Sequence, residues 1–428
     1  MKLLVIGSGG REHAIAKKLL ESPLVKAVYC AKGNARMVLD GIQIVDIDET
    51  DATSLVAFAQ EQEIAWTFFG PEIPLFHGVS DAFYEAGLQV FAPSKAAAKI
   101  EYSKDFAKQL MHKYKIPTAT SATFIDFQEA KAYIEKVGLP IVIKADGLAA
   151  GKGVVVAFDM DEAVEALSSM LIDESYKGSN QEAVVLVEEF LEGEEISIFA
   201  FVDEDKAYFA GISQDHKRAF TNDLGPNTGG MGAYSPVPHY GQEIIDETMK
   251  KVVQPLIKGL MEEGSPYHGV LYVGLMVTKE GIKVIEFNAR FGDPETQVVL
   301  QRLDSDLAKI ISDILSGYNP TIKWKSHGVS LGVVVAAEGY PNSYESGFSL
   351  GTLQVPNGSQ LQLFAAGVTK GTDDTHFNAK GGRLFLVGSE GDTIEEAQQR
   401  VYSYLQDTAI PHTFYRTDIG KKALQAKL

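Results

Sequence analysis

The sequence predicts an α/β protein in three parts: an N-terminal doubly wound parallel sheet (1–100), a central domain with a small lid subdomain (101–325, the lid at about 122–190), and a strand-rich C-terminal domain (326–428). Three observations carry this prediction. The first hundred residues alternate apolar strands with amphipathic helices, the pattern of a parallel sheet. A glycine-rich segment near residue 150 has β-branched runs on both sides, "IVIKA" before it and "VVVAF" after it. The last hundred residues read as strand after strand, closed by one helix. At 428 residues the chain is too long for one ordinary core, so two to four domains are expected. The hydrophobic fraction of 45% and the aromatic fraction of 10% suit a globular enzyme.

Taken in order, "KLLVIG" is an apolar strand, and "GSGGREHAIAKKLLES" opens on glycines and continues as an amphipathic helix. "KAVYCA", "GIQIVDI", "IAWTFFG" and "LQVFAPS" are further buried strands, with helices at "ATSLVAFAQEQE" and "HGVSDAFYEAG". Ligands of such sheets bind outside the carboxyl ends of the strands. The turn Gly7–Gly10 and the turn "GPEIPL" both lie there. From about residue 101 come a helix, a proline-punctuated strand, the glycine hairpin, the helix "DEAVEALSSML", and two strands joined by a charged bend in "AVVLVEEFLEGEEISIFAFVD". The strand "KAYFAGIS" then leads into a long Gly/Pro-rich loop, "QDHKRAFTNDLGPNTGGMGAYSPVP". Another helix precedes the hairpin "GVLYVGLMVTKEGIKVIEFNARFGDPE". The tail holds strands at "GVSLGVVVAA", "LQLFAAGVT" and "GRLFLVGS" and the helix "TIEEAQQRVYSYLQD".

The net charge of −18 repels nucleic acid and anionic membrane, and no basic run offsets it. An anionic substrate must therefore be met by local lysines and arginines, backbone N–H groups or a metal. The single cysteine, Cys30, permits no disulfide within the chain, which fits a reducing cytoplasm. Closing the apolar run "VYC", it reads as a buried strand thiol rather than a nucleophile. "MKLLVIGSGG" is too short an apolar run for a signal peptide, and no stretch approaches the length of a transmembrane helix.

The segment "LPIVIKADGLAAGKGVVVAFD" differs from a P-loop, GxxxxGK[ST]. Gly147 to Gly151 is one residue too short, Gly153 stands where a Ser or Thr should follow Lys152, and strands flank the loop on both sides. It predicts instead a hairpin whose tip, with Gly151, Lys152 and Gly153, folds over a triphosphate. "GSGGREHA" departs from GxGxxG, with Glu12 in the third glycine position, and no acid ends the second strand, so a dinucleotide is not expected. A glycine turn at a helix N-terminus still offers N–H donors to an anion such as a monophosphate; an unliganded tight turn is the plain alternative.

In "KVIEFNARFGDPETQ" strand alternation puts Val284, Glu286 and Asn288 on one face and Ile285 and Phe287 on the other. Glu286 and Asn288 are two hard oxygen ligands side by side, suited to Mg²⁺. A salt bridge from Glu286 to Arg290 is the alternative. In "VVLVEEFLEGEE" Glu188 to Phe190 are placed as an adenine hinge and Glu195 as the ribose ligand, although such a run also serves as a solvated bend. Adjacent Lys217 and Arg218 read as a phosphate or carboxylate clamp, or as a solvated pair. The nine histidines show no metal spacing, and no GxSxG elbow appears.

These pieces stand in an order that resembles the ATP-grasp superfamily, and within it the phosphoribosylamine–glycine ligases, also called glycinamide ribonucleotide synthetases. The resemblance covers essentially the whole chain. It rests on "GSGGREHA", "GPEIPL", "IVIKADGLAAGKGV", "EEFLEGEE", "SQDHKR", "NTGGMGAYSP", "RFGDPETQ", "KGGR" and "FYRTDIG". It implies ATP-dependent ligation of glycine to 5-phosphoribosylamine through glycyl phosphate, in de novo purine synthesis, with Mg²⁺ or Mn²⁺ as cofactor and a monomer or weak homo-oligomer in the cytoplasm. By the same resemblance Lys104 and Lys144 meet ATP phosphates, with Lys152 in the lid, and Glu286 and Asn288 hold the metal. Asp215, Lys217, Asn227, Gly229, Gly230, Met231, Gly232, Arg290, Asp293 and Glu295 line the glycine and acyl-phosphate site. Gly9, Gly10 and Arg383 face phosphoribosylamine.

The sequence departs from the family pattern at Arg36 in "GNAR", at Ala92 in "FAPS", and in "GLMVT", which lacks an acid on the strand before the metal pair. Two other readings are separable. A formate-dependent transformylase or carboxylase of the same superfamily lacks the "RFGDPETQ" and "NTGGMGAYSP" pair. A non-catalytic ATP-binding module has no need of the Lys144, Glu286 and Asn288 set.

Overall fold

The computed structural model describes residues 1–147, 153–172 and 183–426. The N-terminal strands Lys2–Gly7, Ala27–Lys32, Gln43–Val45, Trp66–Phe69 and Val90–Phe91 form one parallel sheet. Strand Lys2–Gly7 lies between Ala27–Lys32 and Trp66–Phe69, so the strand order reverses beside it. The turns leaving these two strands, Gly7–Gly10 and Gly70–Pro71, therefore open side by side into one crevice. Leu3, Leu4, Val5 and Ile6 have no exposed surface, as expected of a strand covered on both faces.

Strands Ser121–Phe124, Val185–Glu189, Ile141–Ala145 and Val154–Ala157 form a small antiparallel sheet in that order. Ile141–Ala145 and Val154–Ala157 pair antiparallel, which makes the glycine segment a hairpin and not a P-loop. Helices Phe127–Val137 and Met160–Leu167 cover this sheet over a core of its own, built around Ile134, Ile143, Leu167 and Val187.

A nine-stranded sheet runs through the rest of the molecule, from Gly281–Asn288, His268–Thr278, Glu194–Asp203 and Lys206–Asp215 to Val329–Ala337, Arg383–Gly391 and Leu361–Ala365. The link is the short strand Gly232–Ser235, which pairs with Lys206–Asp215 on one side and Val329–Ala337 on the other. The segment expected to be a Gly/Pro-rich loop thus contains three strands, Arg218–Phe220, Leu224–Asn227 and Gly232–Ser235. The first two pair with each other as a short hairpin, and the polar, glycine-rich composition hid both; Gly232–Ser235 was hidden because its partners lie elsewhere in the chain. Helix Glu295–Arg302, also absent from the sequence reading, packs across the junction. One large apolar cluster extends from Leu4 and Ile6 through Ile198 and Leu271 to Leu331 and Val387, so all parts except the lid share a core. Among the described residues, no helix is long and apolar enough to cross a membrane.

Candidate active site

The small sheet and the long sheet meet around a cleft walled by lysines and acids. Lys144, on the small sheet, is 6% exposed and is 2.9 Å from the Glu188 carboxylate. Its Nζ also donates to the carbonyl of Ile285 across the gap, at 3.2 Å. Lys104 opens helix Lys104–Lys113, and its Nζ donates to the carbonyl of Gly147 at 2.8 Å. Asp146 accepts from the Lys104 backbone N–H at 2.5 Å and from the Ser103 hydroxyl at 3.3 Å. The start of the glycine loop is therefore tied to a helix N-terminus. Phe190 packs edge-on against Phe158 at 5.8 Å. Gly153 is buried, whereas Gly151 and Lys152 lie outside the described residues.

On the long sheet a bulge alters the expected alternation. Glu286 pairs with Gly274 while Val284 pairs with Leu275, so Ile285 is an extra residue in the ladder. Val284 consequently joins Ile282 and Phe287 in the core, on the face opposite Glu286. The expectation that Val284 shares the face of Glu286 is corrected, but Glu286 and Asn288 still lie on the same face, beyond the bulge. Glu286 does not pair with Arg290. That guanidinium binds Glu72 at 3.1 Å and Glu101 at 2.8 Å. Among the described residues the nearest cation to Glu286 is Lys217, at 3.7 Å. Burial alone would raise the Glu286 pKa, yet Lys217, Lys144, Lys104 and Arg290 together hold it below the ordinary carboxylate value.

Asp215 and Lys217 end the strand Lys206–Asp215 and enter the next hairpin. Lys217 contacts Glu195 closely. Arg218, expected to act with it, turns the other way and donates to the exposed Gly225 carbonyl at 2.8 Å, because neighbours in extended chain face opposite sides. Burial pushes the Asp215 pKa up to about 8, against the pull of Lys217 and with the help of Glu295, Glu195 and Glu286. Glu295 is 4% exposed, and burial raises its pKa too.

The loop after Asn227 is held from several sides. Thr228 accepts from the N–H of Gly230 at 3.0 Å and donates to the carbonyl of Lys217 at 2.8 Å. Met231 donates to the His216 carbonyl at 2.8 Å. Gly230, with φ near +115°, has Pro294 so close that a Cβ would lie 2.4 Å from its ring. Arg383 clamps this loop to "RFGDPE": its guanidinium donates to the carbonyls of Gly229 and Asp293, both at 2.7 Å, and approaches the Asp293 carboxylate at 3.5 Å. Gly232 sits in the linking strand.

The N-terminal crevice is more acidic than the glycine turn suggested. The N–H of Gly9 is not free but donates to Glu12 at 2.6 Å. Arg11 is 2.5 Å from the other oxygen of Glu12 and donates to the Phe291 carbonyl at 3.0 Å. Glu12 also fills the space beside Gly7 and Gly70, where a Cβ would clash with it. Gly10 abuts Gln297. Glu12 and Glu72 were legible as acids just inside "GSGGREHA" and "GPEIPL", but Glu101 carried no such signal. Arg36 does not enter the crevice. It binds Asp40 at 2.7 Å and the Leu353 carbonyl at 3.0 Å, while Asp40 bonds the buried His13 at 2.8 Å. The departure in "GNAR" therefore strengthens a contact with the C-terminal part.

A cleft between a hairpin-bearing antiparallel sheet and a second sheet, lined by lysines from both and by a Glu/Asn pair, defines an ATP-grasp enzyme, an ATP-dependent ligase. In order along the chain, residues 1–101, 102–296 and 330–422 match the N domain, the ATP-grasp (A) domain and the C domain of phosphoribosylglycinamide synthetase, and the chain belongs to that family. It is 53% identical over 425 residues to phosphoribosylamine–glycine ligase of Streptococcus pneumoniae, covering 99% of this chain and 100% of the relative. The crystal structure of phosphoribosylamine–glycine ligase from Thermotoga maritima superposes with a TM-score of 0.84 at 30% identity, covering 98% of this chain and all of the other. Biotin carboxylase from Campylobacter jejuni shares the fold, with a TM-score of 0.73 at 15% identity over 97% of this chain and 92% of its own.

Proposed function

We propose that this protein uses ATP to join glycine to 5-phosphoribosylamine, giving glycinamide ribonucleotide, ADP and phosphate through glycyl phosphate, in de novo purine synthesis. The observation that supports it most is the convergence of Lys104, Lys144 and Lys217 on the Glu286 carboxylate in a chain whose three parts all belong to this family. The reaction has two stages. The glycine carboxylate attacks the γ-phosphorus of ATP, and the P–O bond to ADP breaks. The amine of phosphoribosylamine then attacks the acyl carbon, phosphate leaves, and the amine proton is lost.

Lys104 and Lys144 neutralise the ATP phosphates, joined by Lys152, which lies outside the described residues. The Glu188 to Phe190 backbone meets the adenine edge, and Glu195 takes the ribose hydroxyls once Lys217 turns toward the transferring phosphoryl group. Asp215, Arg290, Glu295 and the Gly229–Gly232 loop hold glycine and its phosphate. Gly10, Arg383 and the acidic crevice at Glu12 and Glu72 face the sugar and its amine.

A divalent cation fits at Glu286 and Asn288. Among the described residues no cluster of three or more His, Cys, Asp or Glu side chains encloses a metal. Magnesium rarely needs one, since one or two protein oxygens plus phosphate oxygens and water complete its shell. Glu286 stays anionic and, among the described residues, is not tied into a short ion pair, so its oxygens can serve. When bound, the ion would withdraw charge from the phosphoryl oxygens; Mg²⁺ and Mn²⁺ both suit these oxygen ligands.

The test is ADP release measured with ATP and each second substrate in turn. Release that requires both glycine and 5-phosphoribosylamine supports the reading. Release driven by formate or bicarbonate without glycine would replace it, and no release at all would favour a binding module.

A further inference from the structure

Glu188 is buried, at 4% exposure, between two lysines that come from different elements. One carboxylate oxygen lies 2.9 Å from Lys144 and the other 3.5 Å from Lys108, itself only 4% exposed. Lys108 is anchored independently of this pair. Its Nζ donates to the Thr118 hydroxyl at 2.7 Å and to the Ala119 carbonyl at 3.2 Å. Thr118 in turn donates to the Val284 carbonyl at 2.8 Å, on the strand that carries Glu286. Lys144 donates to Ile285 of the same strand. Two ammonium groups and one carboxylate thus share a buried space and leave one positive charge over.

We propose that Lys108 is a positioning residue for nucleotide binding: by engaging one oxygen of Glu188 it keeps Lys144 oriented and keeps the cluster cationic toward the ATP phosphates. This rests on the reading of Lys144 as a phosphate ligand. Without Lys108 the Lys144–Glu188 pair is neutral, and Glu188 has one buried oxygen without a cation. Lys108 itself touches none of the reacting groups. The charged groups that face it are Glu188 and Glu189 on strand Val185–Glu189 and Lys144 on strand Ile141–Ala145. Burial pulls the Lys108 pKa down to about 8, with Glu188 opposing, so its charge is lost just above neutrality.

The test compares Lys108→Met, Lys108→Arg and Lys144→Met in the full chain, following kcat, the KM for ATP and the melting temperature from about pH 6.5 to 9.5. Lys108→Met should raise the ATP KM by about an order of magnitude at neutral pH, the scale for losing a unit charge one side chain removed from the phosphates at an effective dielectric of about 20. Its kcat should change much less. Lys108→Arg should restore the KM, since arginine keeps its charge throughout. In the wild type the ATP KM should climb as pH passes about 8. In Lys108→Arg that part of the climb should vanish, which separates Lys108 from Asp215, unchanged in both proteins. Should Lys108→Met fail to fold, the arginine pH profile alone decides. An unchanged ATP KM in Lys108→Met, or a wild-type pH profile in Lys108→Arg, overturns the proposal while Lys144→Met still raises the KM. If Lys144→Met leaves the ATP KM unchanged, the phosphate reading of the cleft is wrong, and this inference falls with it.

Discussion

At the scale of single residues, the cleft concentrates opposite charges that are only partly paired, and the pairing decides which substitutions are informative. Among the described residues Glu286 has no charged partner closer than 3.7 Å, so Glu286→Gln removes little ion-pair energy. The expected result is a protein of near-wild-type melting temperature whose turnover falls at least ~10²–10³-fold, the usual loss for one preorganised stabiliser of developing charge. A Mg²⁺ titration of turnover per folded molecule checks it: wild-type rate and half-saturation would dismiss Glu286 as the metal ligand. Asp215 makes a different prediction. Its folded pKa of about 8 lies above the ordinary 3.8, so between these pH values the folded state keeps a proton that the unfolded chain has lost. Stability therefore falls with rising pH across that window. The melting temperature of Asp215→Asn, compared with wild type, should draw ahead from about pH 4 and reach its full advantage above about pH 8. A constant difference across the titration would mean that Asp215 ionises normally.

At the scale of elements, the hairpin Arg218–Asn227 depends on a strut from the far end of the chain. Arg416 is 1% exposed; it bonds Asp418 at 2.8 Å, Asp223 at 2.9 Å and the carbonyl of Arg218 at 3.0 Å. Asn222 and Thr221 bond Asp418 and Thr417. "FYRTDIG" thus fixes the hairpin that begins beside Lys217. Arg416→Met should destabilise the protein toward the lower end of the ~3–5 kcal/mol seen when a buried ion pair loses a partner, because Asp223 is solvent-accessible and keeps Lys422. With the hairpin loosened, the glycine KM should rise while nucleotide binding, measured by calorimetry, stays near wild type. A normal glycine KM in the folded variant would show that the strut serves stability alone.

For the whole molecule, the distribution of apolar cores predicts which parts can be separated. The lid has its own core, whereas the N-terminal, central and C-terminal parts share one. The linking strand Gly232–Ser235 needs Val329–Ala337 as its outer partner. A chain ending at residue 325 should therefore lose its cooperative thermal transition and aggregate. Replacing residues 121–189 by a short linker should leave a cooperative transition within a few degrees of the full chain, with ATP turnover abolished. A cooperative transition in the truncated chain would contradict the shared core.

Much of this organisation was legible from residue order. Period-two and period-3.6 patterns act within a few residues, so the parallel sheet, the paired strands that carry Lys144, and the shared face of Glu286 and Asn288 followed from local spacing. The long Gly/Pro-rich segment was misread because a strand such as Gly232–Ser235 is defined by its neighbours' hydrogen bonds more than by its own side chains. The phase of Glu286 relative to Val284 was lost at the bulge, which depends on register with Gly274. Most element types, though not the strands of the Gly/Pro-rich segment or helix Glu295–Arg302, were therefore determined by the sequence alone, through short-range periodicity and the conformational needs of glycine. Which buried charge meets which partner was decided only by the tertiary structure: Arg290 with Glu72 and Glu101, Glu188 between Lys108 and Lys144, Arg416 under Asp223. Each of these contacts joins residues dozens to hundreds of positions apart, and a buried ionic group must take whatever counter-charge the fold brings within reach.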